Sequence, residues 1–320
     1  MSPSRIDRRK FLALGAGAFA VALVPFAAGR HRLVRRTIPV MGTIAEVAVV
    51  HDDTALAQAA IDAAFAELRL VDAMMTRYSG SSDVGRLNRE GARGPVPIAP
   101  ETLHVLAEAL RWARGTDGSF DPCIGLATEL WDVNRRHAPP PAEAVGRLAG
   151  RRLYRALELD TWRGSPVACF ADRDVAVDLG GIAKGYAVDR AVRALRERGI
   201  GRAFVNAGGD LYAMGASEDG DPWQVGIQLA SDPSRIERKI AVSDQAVATS
   251  GDYLQCFRFG GRRYHHILDP VSGEPWRTDG KSLTIVADRC IDADAAATAC
   301  FGTPDPEATL RGVAPGSRVA

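Results

Sequence analysis

The run Val177-Asp178-Leu179-Gly180-Gly181-Ile182-Ala183-Lys184-Gly185-Tyr186-Ala187-Val188-Asp189 holds residues suited to chemistry. Two glycines break a β-like segment, Val175 to Leu179, and a lysine stands between them and a helix-like stretch. Glycines let a backbone approach phosphate groups, a lysine supplies a point charge, and a helix start adds a partial positive end. The spacing is not that of a P-loop, which needs Lys-Ser or Lys-Thr after its last glycine. The same residues also suit an ordinary strand-to-helix turn with a solvated lysine.

Asp294 and Thr298 are four apart on a predicted helix, so they share one face and both offer oxygen. With a backbone carbonyl, phosphate oxygens and water they would form a hard site suited to Mg²⁺. Read alone, the pair is more simply a first-turn acid and a threonine bonding back to its helix. His266 precedes the turn Asp269-Pro270. Beside a cleft such an imidazole can accept a proton near neutral pH; away from one it would be a structural histidine bonded to backbone. Its neighbour His265 points to the opposite face of a strand.

The elements that must position these groups follow from periodicity. Thr43 to Val50 is β-like. Ala55 to Met75 is helix-like, with Ile61, Phe65, Leu68 and Met75 at helical spacing. Glu101 to Arg114 and Tyr186 to Arg198 read as further helices, and three consecutive prolines from Pro139 mark a loop. Beyond residue 200 the character turns to short strands: Ala203 to Val205, Trp223 to Leu229, Lys239 to Val242, Ala246 to Thr249, Leu254 to Phe259, Arg263 to Leu268 and Ser282 to Val286. Gly260-Gly261 is a hairpin signal. Asp292 to Phe301 returns to helix. Helices first and strands second predict an α+β fold, and no linker divides it.

The bulk numbers narrow the function. The chain has 320 residues and a net charge of +1. Interspersed acids and bases argue against nucleic acid, which selects for a basic face. Asp7-Arg8-Arg9-Lys10 precedes an apolar run from Phe11 to Phe26. That run is too short and too rich in Ala and Gly for a good membrane span, and it reads as a twin-arginine export signal. Residues 1–29 would be the signal, with 30–320 the exported domain in the periplasm; an uncleaved anchor is the alternative. Gly15-Ala16-Gly17-Ala18-Phe19-Ala20 mimics a dinucleotide fingerprint but lies inside the signal, outside any βαβ unit. Of the five cysteines, none forms a Cys-x-x-Cys pair, and a Cys290–Cys300 bridge stays open.

Further segments follow the Gly-rich run: Asn206-Ala207-Gly208-Gly209-Asp210-Leu211, Ala248-Thr249-Ser250-Gly251-Asp252-Tyr253, His265-His266-Ile267-Leu268-Asp269-Pro270 and Asp294-Ala295-Ala296-Ala297-Thr298. Met41-Gly42-Thr43, Tyr78 and Ser119-Phe120-Asp121-Pro122 precede it. In this order they resemble the ApbE family of FAD:protein FMN transferases. The resemblance covers nearly all of the chain after the export signal, and it rests on the ensemble of motifs.

It implies a single α+β domain of two lobes with a flavin cleft between them. Met41, Tyr78, Ser119, Phe120 and Asp121 match its flavin-binding positions, and Asp178, Lys184 and Ile267 match further FAD contacts. Asp294, Thr298 and the backbone carbonyl of Gly181 match its Mg²⁺ ligands, and His266 its catalytic histidine. FAD is then a substrate. The hydroxyl of a threonine or serine on a target flavoprotein attacks the FMN-side phosphorus, and AMP leaves. A respiratory electron-transfer protein is the candidate target. An FAD pyrophosphatase, in which water replaces the hydroxyl, and a non-catalytic FAD carrier are the rivals. Three departures stand out: Cys123 where the family usually has Thr, Ile291 where some members carry an acid, and a run of only nineteen residues after Phe301, which suggests a shortened C-terminal edge.

Overall fold

A computed structural model describes residues 21–23, 32–253 and 255–320. The segment read as an export signal falls outside these residues except for Val21–Leu23, a short strand pairing antiparallel with Trp223–Leu229. Among the described residues no helix is long and apolar enough to cross a membrane.

The site is built on one sheet. Its strands are β1 (Leu33–Val40), β2 (Thr43–Val50), β3 (Ala203–Ala207), β4 (Asp210–Met214), β5 (Gln245–Gly251), β6 (Ser282–Ala287) and β7 (Arg318–Val319). They lie side by side in that order, and every neighbouring pair is antiparallel. All of the chain from 51 to 202 is inserted between the adjacent strands β2 and β3. The edge strand β7 is only two residues long and pairs at Ile285 and Val286.

Alternation along β2 sorts its side chains onto two faces. Ala45, Val47 and Val49 enter the main core, while Ala48 and Val50 pack with Phe204, Trp223 and Val225 on the other side. That second face is covered by the strands Trp223–Leu229 and Asp232–Val242. The first face carries the helices α1 (Thr54–Met75), α2 (Pro100–Gly115), α3 (Ala183–Arg196) and α4 (Cys290–Ala299). In α1, Ala57, Ile61, Ala64, Phe65, Leu68, Val71 and Met75 are buried at spacings of three and four, and Asp53 caps the first turn. Burying side chains such as Phe65 and Leu68 stabilises by roughly 1.5–3 kcal/mol each.

α3 and α4 approach closely because small residues face each other. A Cβ at Gly185 would lie 2.2 Å from the Cys290 carbonyl oxygen and 2.8 Å from Asp294 Cβ, so only glycine fits there. Asp189, on α3, accepts the Cys290 and Ile291 N–H groups at 2.8 and 2.9 Å. It thus caps the start of α4 from a neighbouring helix.

A smaller apolar cluster, with Trp131, Val145, Leu148, Phe257 and Leu268, builds the second lobe. Tyr264 stacks on Phe257 and Trp131 with ring centroids 5.1 and 5.6 Å apart. The Gly260-Gly261 hairpin forms as expected, between Cys256–Phe259 and Arg262–His265.

Several expectations need correction. Val175 to Leu179 is no sheet strand; only Ala176 bridges, in parallel, to Ile124. The segment is extended because other groups take its backbone. The Asn88 amide brackets Val177 at 2.7 and 2.9 Å, and the Pro122 carbonyl accepts the Asp178 N–H. The helix after the glycines begins at Ala183, not Tyr186. Met41-Gly42 is the two-residue turn joining β1 and β2 and lies on neither strand. Cys290 and Cys300 are free thiols at opposite ends of α4. Ten residues of helix separate them by about 15 Å, too far for a disulfide.

Candidate functional site

The predicted groups converge where α3, α4 and one end of the sheet meet. Lys184, in the first turn of α3, reaches Asp210 at the start of β4 and makes direct contact with its carboxylate. The same ammonium lies 3.7 Å from Asp294 Oδ1. Asp294 Oδ2 accepts the Gly185 N–H at 2.9 Å, so α4 is tied to the start of α3. One turn further along α4 is Thr298. A Cβ at Gly181 would sit 2.8 Å from its hydroxyl oxygen, which places the Gly181 backbone directly against Thr298. Gly181, far from Asp294 and Thr298 in sequence, is therefore their neighbour in space.

The cluster sets two carboxyl groups against one ammonium. Asp210 and Asp294 are both buried. Burial raises both carboxyl pKa values; Asp294 raises Asp210 further, while Lys184 opposes the rise in each. Burial also works against the ammonium, but the two carboxylates outweigh it and Lys184 is held protonated. One cation thus serves two carboxylates. A lysine expected to offer its charge to a phosphate instead has it largely taken up by Asp210.

A second group surrounds Asp178, whose Oδ1 accepts the Gly180 N–H at 2.9 Å. Its Oδ2 faces Arg77 Nε at 3.7 Å, and Arg77 Nη1 donates to the Gly125 carbonyl at 3.0 Å. The Arg77 guanidinium lies 4.9 Å from the centroid of the Tyr78 ring, which is 85% exposed. So large an exposed aromatic surface, backed by a cation, is available to stack on a planar ring. Met41 has φ +54°, a left-handed conformation costing a bulky residue about 1–2 kcal/mol. Its N–H donates to Asp72 Oδ2 at 3.1 Å, which holds the turn in place.

His266 is exposed, whereas His265 is fully buried. His265 bonds the Trp276 carbonyl through Nε2 at 2.8 Å and accepts the Ile267 N–H on Nδ1 at 3.3 Å, so it braces the loop that presents its neighbour. The two side chains face opposite ways as expected, but the strand Arg262–His265 ends before His266, which lies in the loop that follows. The surrounding protein, then His265 and Lys184, lower the His266 pKa below its ordinary value, with Asp178 opposing. Its open face keeps the ring in contact with water. His266 therefore lies within electrostatic reach of both Lys184 and Asp178, and it is neutral at pH 7.

Other predicted contacts have different surroundings. Asp121 is buried, and its oxygens accept the Cys123 and Tyr154 N–H groups at 2.8 and 3.2 Å. Burial raises its pKa to about 6, against those bonds. The carboxylate organises the turn. Phe120 and Ile267 are buried in the main core, so a ligand could meet only their edges or backbone. Ser119 is half-buried and donates its N–H to the Thr116 carbonyl. The Cys123 thiol is buried and its pKa is pushed up by that burial, which keeps it neutral. Asp252 is buried and braces Arg263, Gly280 and Lys281. Asp292 pairs with Arg111 and Arg289, away from the cluster.

Asp210, Arg77 and Asp189 were not singled out individually. Asp210 was visible only within a polar turn, Asn206 to Asp210, whose sequence gives no sign of burial. A depression of about 380 Å³ lies at the start of α4, lined by Arg111, Arg289, Asp292 and Ser317. Its Arg111, Arg289 and Asp292 side chains are already paired with one another and with Glu108.

The family model for ApbE matches residues 41–314. The chain belongs to the ApbE family. It is 33% identical over 291 residues to a Treponema pallidum protein named FAD:protein FMN transferase, covering 85% of this chain and 79% of that one. A Vibrio cholerae protein of the same name is 32% identical over 268 residues, covering 81% and 78%. The structure of the ApbE protein from Thermotoga maritima superposes with a TM-score of 0.81 at 29% identity, over 90% of this chain and 93% of that one. Pseudomonas stutzeri flavinyl transferase ApbE gives 0.76 at 27% identity, over 89% and 90%. The likeness to these ApbE structures spans both lobes, in keeping with the single α+β domain expected from sequence.

Proposed function

We propose that this chain is an FAD:protein FMN transferase that uses Mg²⁺ and acts on a threonine or serine hydroxyl of a target flavoprotein. The observation that carries the reading is the meeting of Lys184, Asp210, Asp294, Thr298 and Gly181 at one end of the sheet, within electrostatic reach of His266.

The donor set fits a divalent cation. Among the described residues no group of three or more His, Cys, Asp or Glu side chains could hold a metal, so a cage of strong ligands is absent. What is present is one carboxylate, one hydroxyl and one backbone segment. Hard cations that keep several waters and borrow phosphate oxygens use such half-sites. Asp294, Thr298 and the Gly181 carbonyl would hold Mg²⁺, which when bound polarises the phosphoryl oxygens.

The side chains do the rest. Tyr78, backed by Arg77, offers a stacking face for a ring of FAD, and the Met41 turn supplies a second apolar surface. Asp178 is placed to accept an N–H or a ribose hydroxyl. His266, neutral at pH 7, takes the proton from the acceptor hydroxyl. A bond forms from that oxygen to the FMN-side phosphorus, the bond to the AMP oxygen breaks, and AMP departs. Positioning and charge neutralisation supply most of the acceleration in such transfers.

The test is incubation of the purified chain with FAD and Mg²⁺, with and without a target domain bearing a candidate threonine. Covalent FMN on the target and matching AMP release are expected. AMP release at the same rate without the target would make the chain a pyrophosphatase. Tight FAD binding with neither product would make it a carrier.

Export to the periplasm by the twin-arginine route places its target among exported flavoproteins, a respiratory electron-transfer protein being the first to try. The paired Arg8-Arg9 supports this reading. Replacing both with lysine should retain the precursor in the cytoplasm, as read by fractionation and immunoblot. Normal periplasmic recovery would reject the route.

A further inference from the structure

Lys184 stands between two buried carboxylates and does not treat them alike. It is in direct contact with Asp210 but 3.7 Å from Asp294 Oδ1. Asp294 Oδ2 is already committed to the Gly185 N–H. Oδ1 is therefore the oxygen left to face a ligand. An ammonium seated on that oxygen would compete with a metal for the same lone pairs. Lysine has a long, flexible stem and could reach it.

Asp210 is held where it cannot follow the lysine. It is 2% exposed and opens β4, where its backbone pairs with Ala207 across the Gly208-Gly209 turn. The Thr249 backbone beside it also favours the ionised carboxylate. The anchored carboxylate thus fixes one side of the lysine's position. With all three side chains ionised their net charge is −1, and neutralising Asp210 would bring it to zero.

We propose that Asp210 is a positioning residue: it draws the Lys184 ammonium off Asp294 and so keeps Asp294 open to a divalent cation. This rests on the cation reading of Asp294, Thr298 and Gly181. Asp210 takes no part as a ligand; it acts through the lysine.

The test is Mn²⁺ binding to the full chain, read from loss of the free-ion electron paramagnetic resonance signal, with Mg²⁺ as competitor. Asp210→Asn should weaken binding by about tenfold or more, as loss of a partner outside the ligand shell commonly does. The double variant Asp210→Asn with Lys184→Met should bind within about threefold of wild type, since the competitor has gone with its restraint. A double variant as weak as Asp210→Asn would make Asp210 a ligand in its own right and overturn the proposal. Unchanged binding in Asp210→Asn would also overturn it. Lys184→Met alone decides the matter if Asp210→Asn does not fold: it should bind Mn²⁺ at least as tightly as wild type, and a loss would refute the competition. Wild-type chain that binds no Mn²⁺ either alone or with FAD present would instead sink the cation reading itself.

Discussion

The wall formed by α3, α4 and the start of β4 differs from the wall of loops at Tyr78, Ser119 and His266 in how its polar groups are held. On the first, Asp210 and Asp294 are buried, both face the Lys184 ammonium, and Asp294 also accepts the Gly185 N–H. On the second, Tyr78 and His266 project from loops and are exposed. The first wall has its charges fixed by helix packing before any ligand arrives, as charge stabilisation requires. The second keeps adaptable surface where two bulky partners, a dinucleotide and a protein, must enter. Substitutions on the first wall should therefore remove turnover, and those on the second should change binding or the proton transfer.

The largest effect should come from Asp294→Asn. The amide oxygen can still accept the Gly185 N–H, so the helix contact survives while the charge is lost. Transfer should fall by about three orders of magnitude, the scale of several kcal/mol of charge stabilisation. A melting temperature near that of wild type would show that the fold is intact. Retained activity in this variant would break the comparison outright.

His266→Ala comes next. Loss of a positioned base should cost about a hundredfold or more in turnover and leave the FAD dissociation constant unchanged. The pH profile sharpens this. The folded pKa of His266 lies below its ordinary value, so the ring is neutral and competent at pH 7. Wild-type turnover should decline only as pH falls below the usual histidine range, and that acid limb should vanish in the variant. An unshifted acid limb would assign it to another group.

A smaller effect is expected at Tyr78. Removing an exposed ring should not alter stability, but loss of a stacking contact should weaken FAD binding by about 1–3 kcal/mol. Fluorescence titration of Tyr78→Ala against Tyr78→Phe measures it, and the phenylalanine should bind as wild type does. Equal affinity in the alanine variant would remove Tyr78 from the site.

The smallest is Gly181→Ala. Its new Cβ would press on the Thr298 side chain at 2.8 Å, and relief by a small backbone shift should cost about 1–3 kcal/mol of stability. Divalent-cation affinity should fall with it. Unchanged cation affinity would remove Gly181 from the ligand set.

Much of the first wall was legible in the sequence because its residues sit in segments that read as helix, although α4 is buried nearly all round and shows no amphipathic period. Asp294 and Thr298 lie one turn apart on α4, and Lys184 follows two glycines into α3. Asp210 was not, because β4 is a five-residue strand buried on both faces and shows no alternation. Asp189 was missed since cross-helix capping leaves no local signal. The second wall was less legible for a different reason. A loop residue's surroundings depend on chain remote in sequence. Asp121 and Tyr78 both match flavin-binding positions, yet one is buried against two backbone N–H groups and the other stands in solvent.

The insertion of residues 51–202 between the neighbouring strands β2 and β3 sets an order in time. β3 to β6 meet through comparatively short connections, whereas joining β2 to β3 must close a far longer loop at a correspondingly larger entropic cost. During refolding, amides of Val205, Tyr212 and Ile285 should gain protection in pulse-labelled hydrogen exchange before those of Ala45 and Val47. Asp210 would then occupy a formed strand while the hairpin carrying Met41 was still undocked. The enzyme would assemble its cleft from the C-terminal half backwards, and the first part of the domain to leave the ribosome would be the last to find its place.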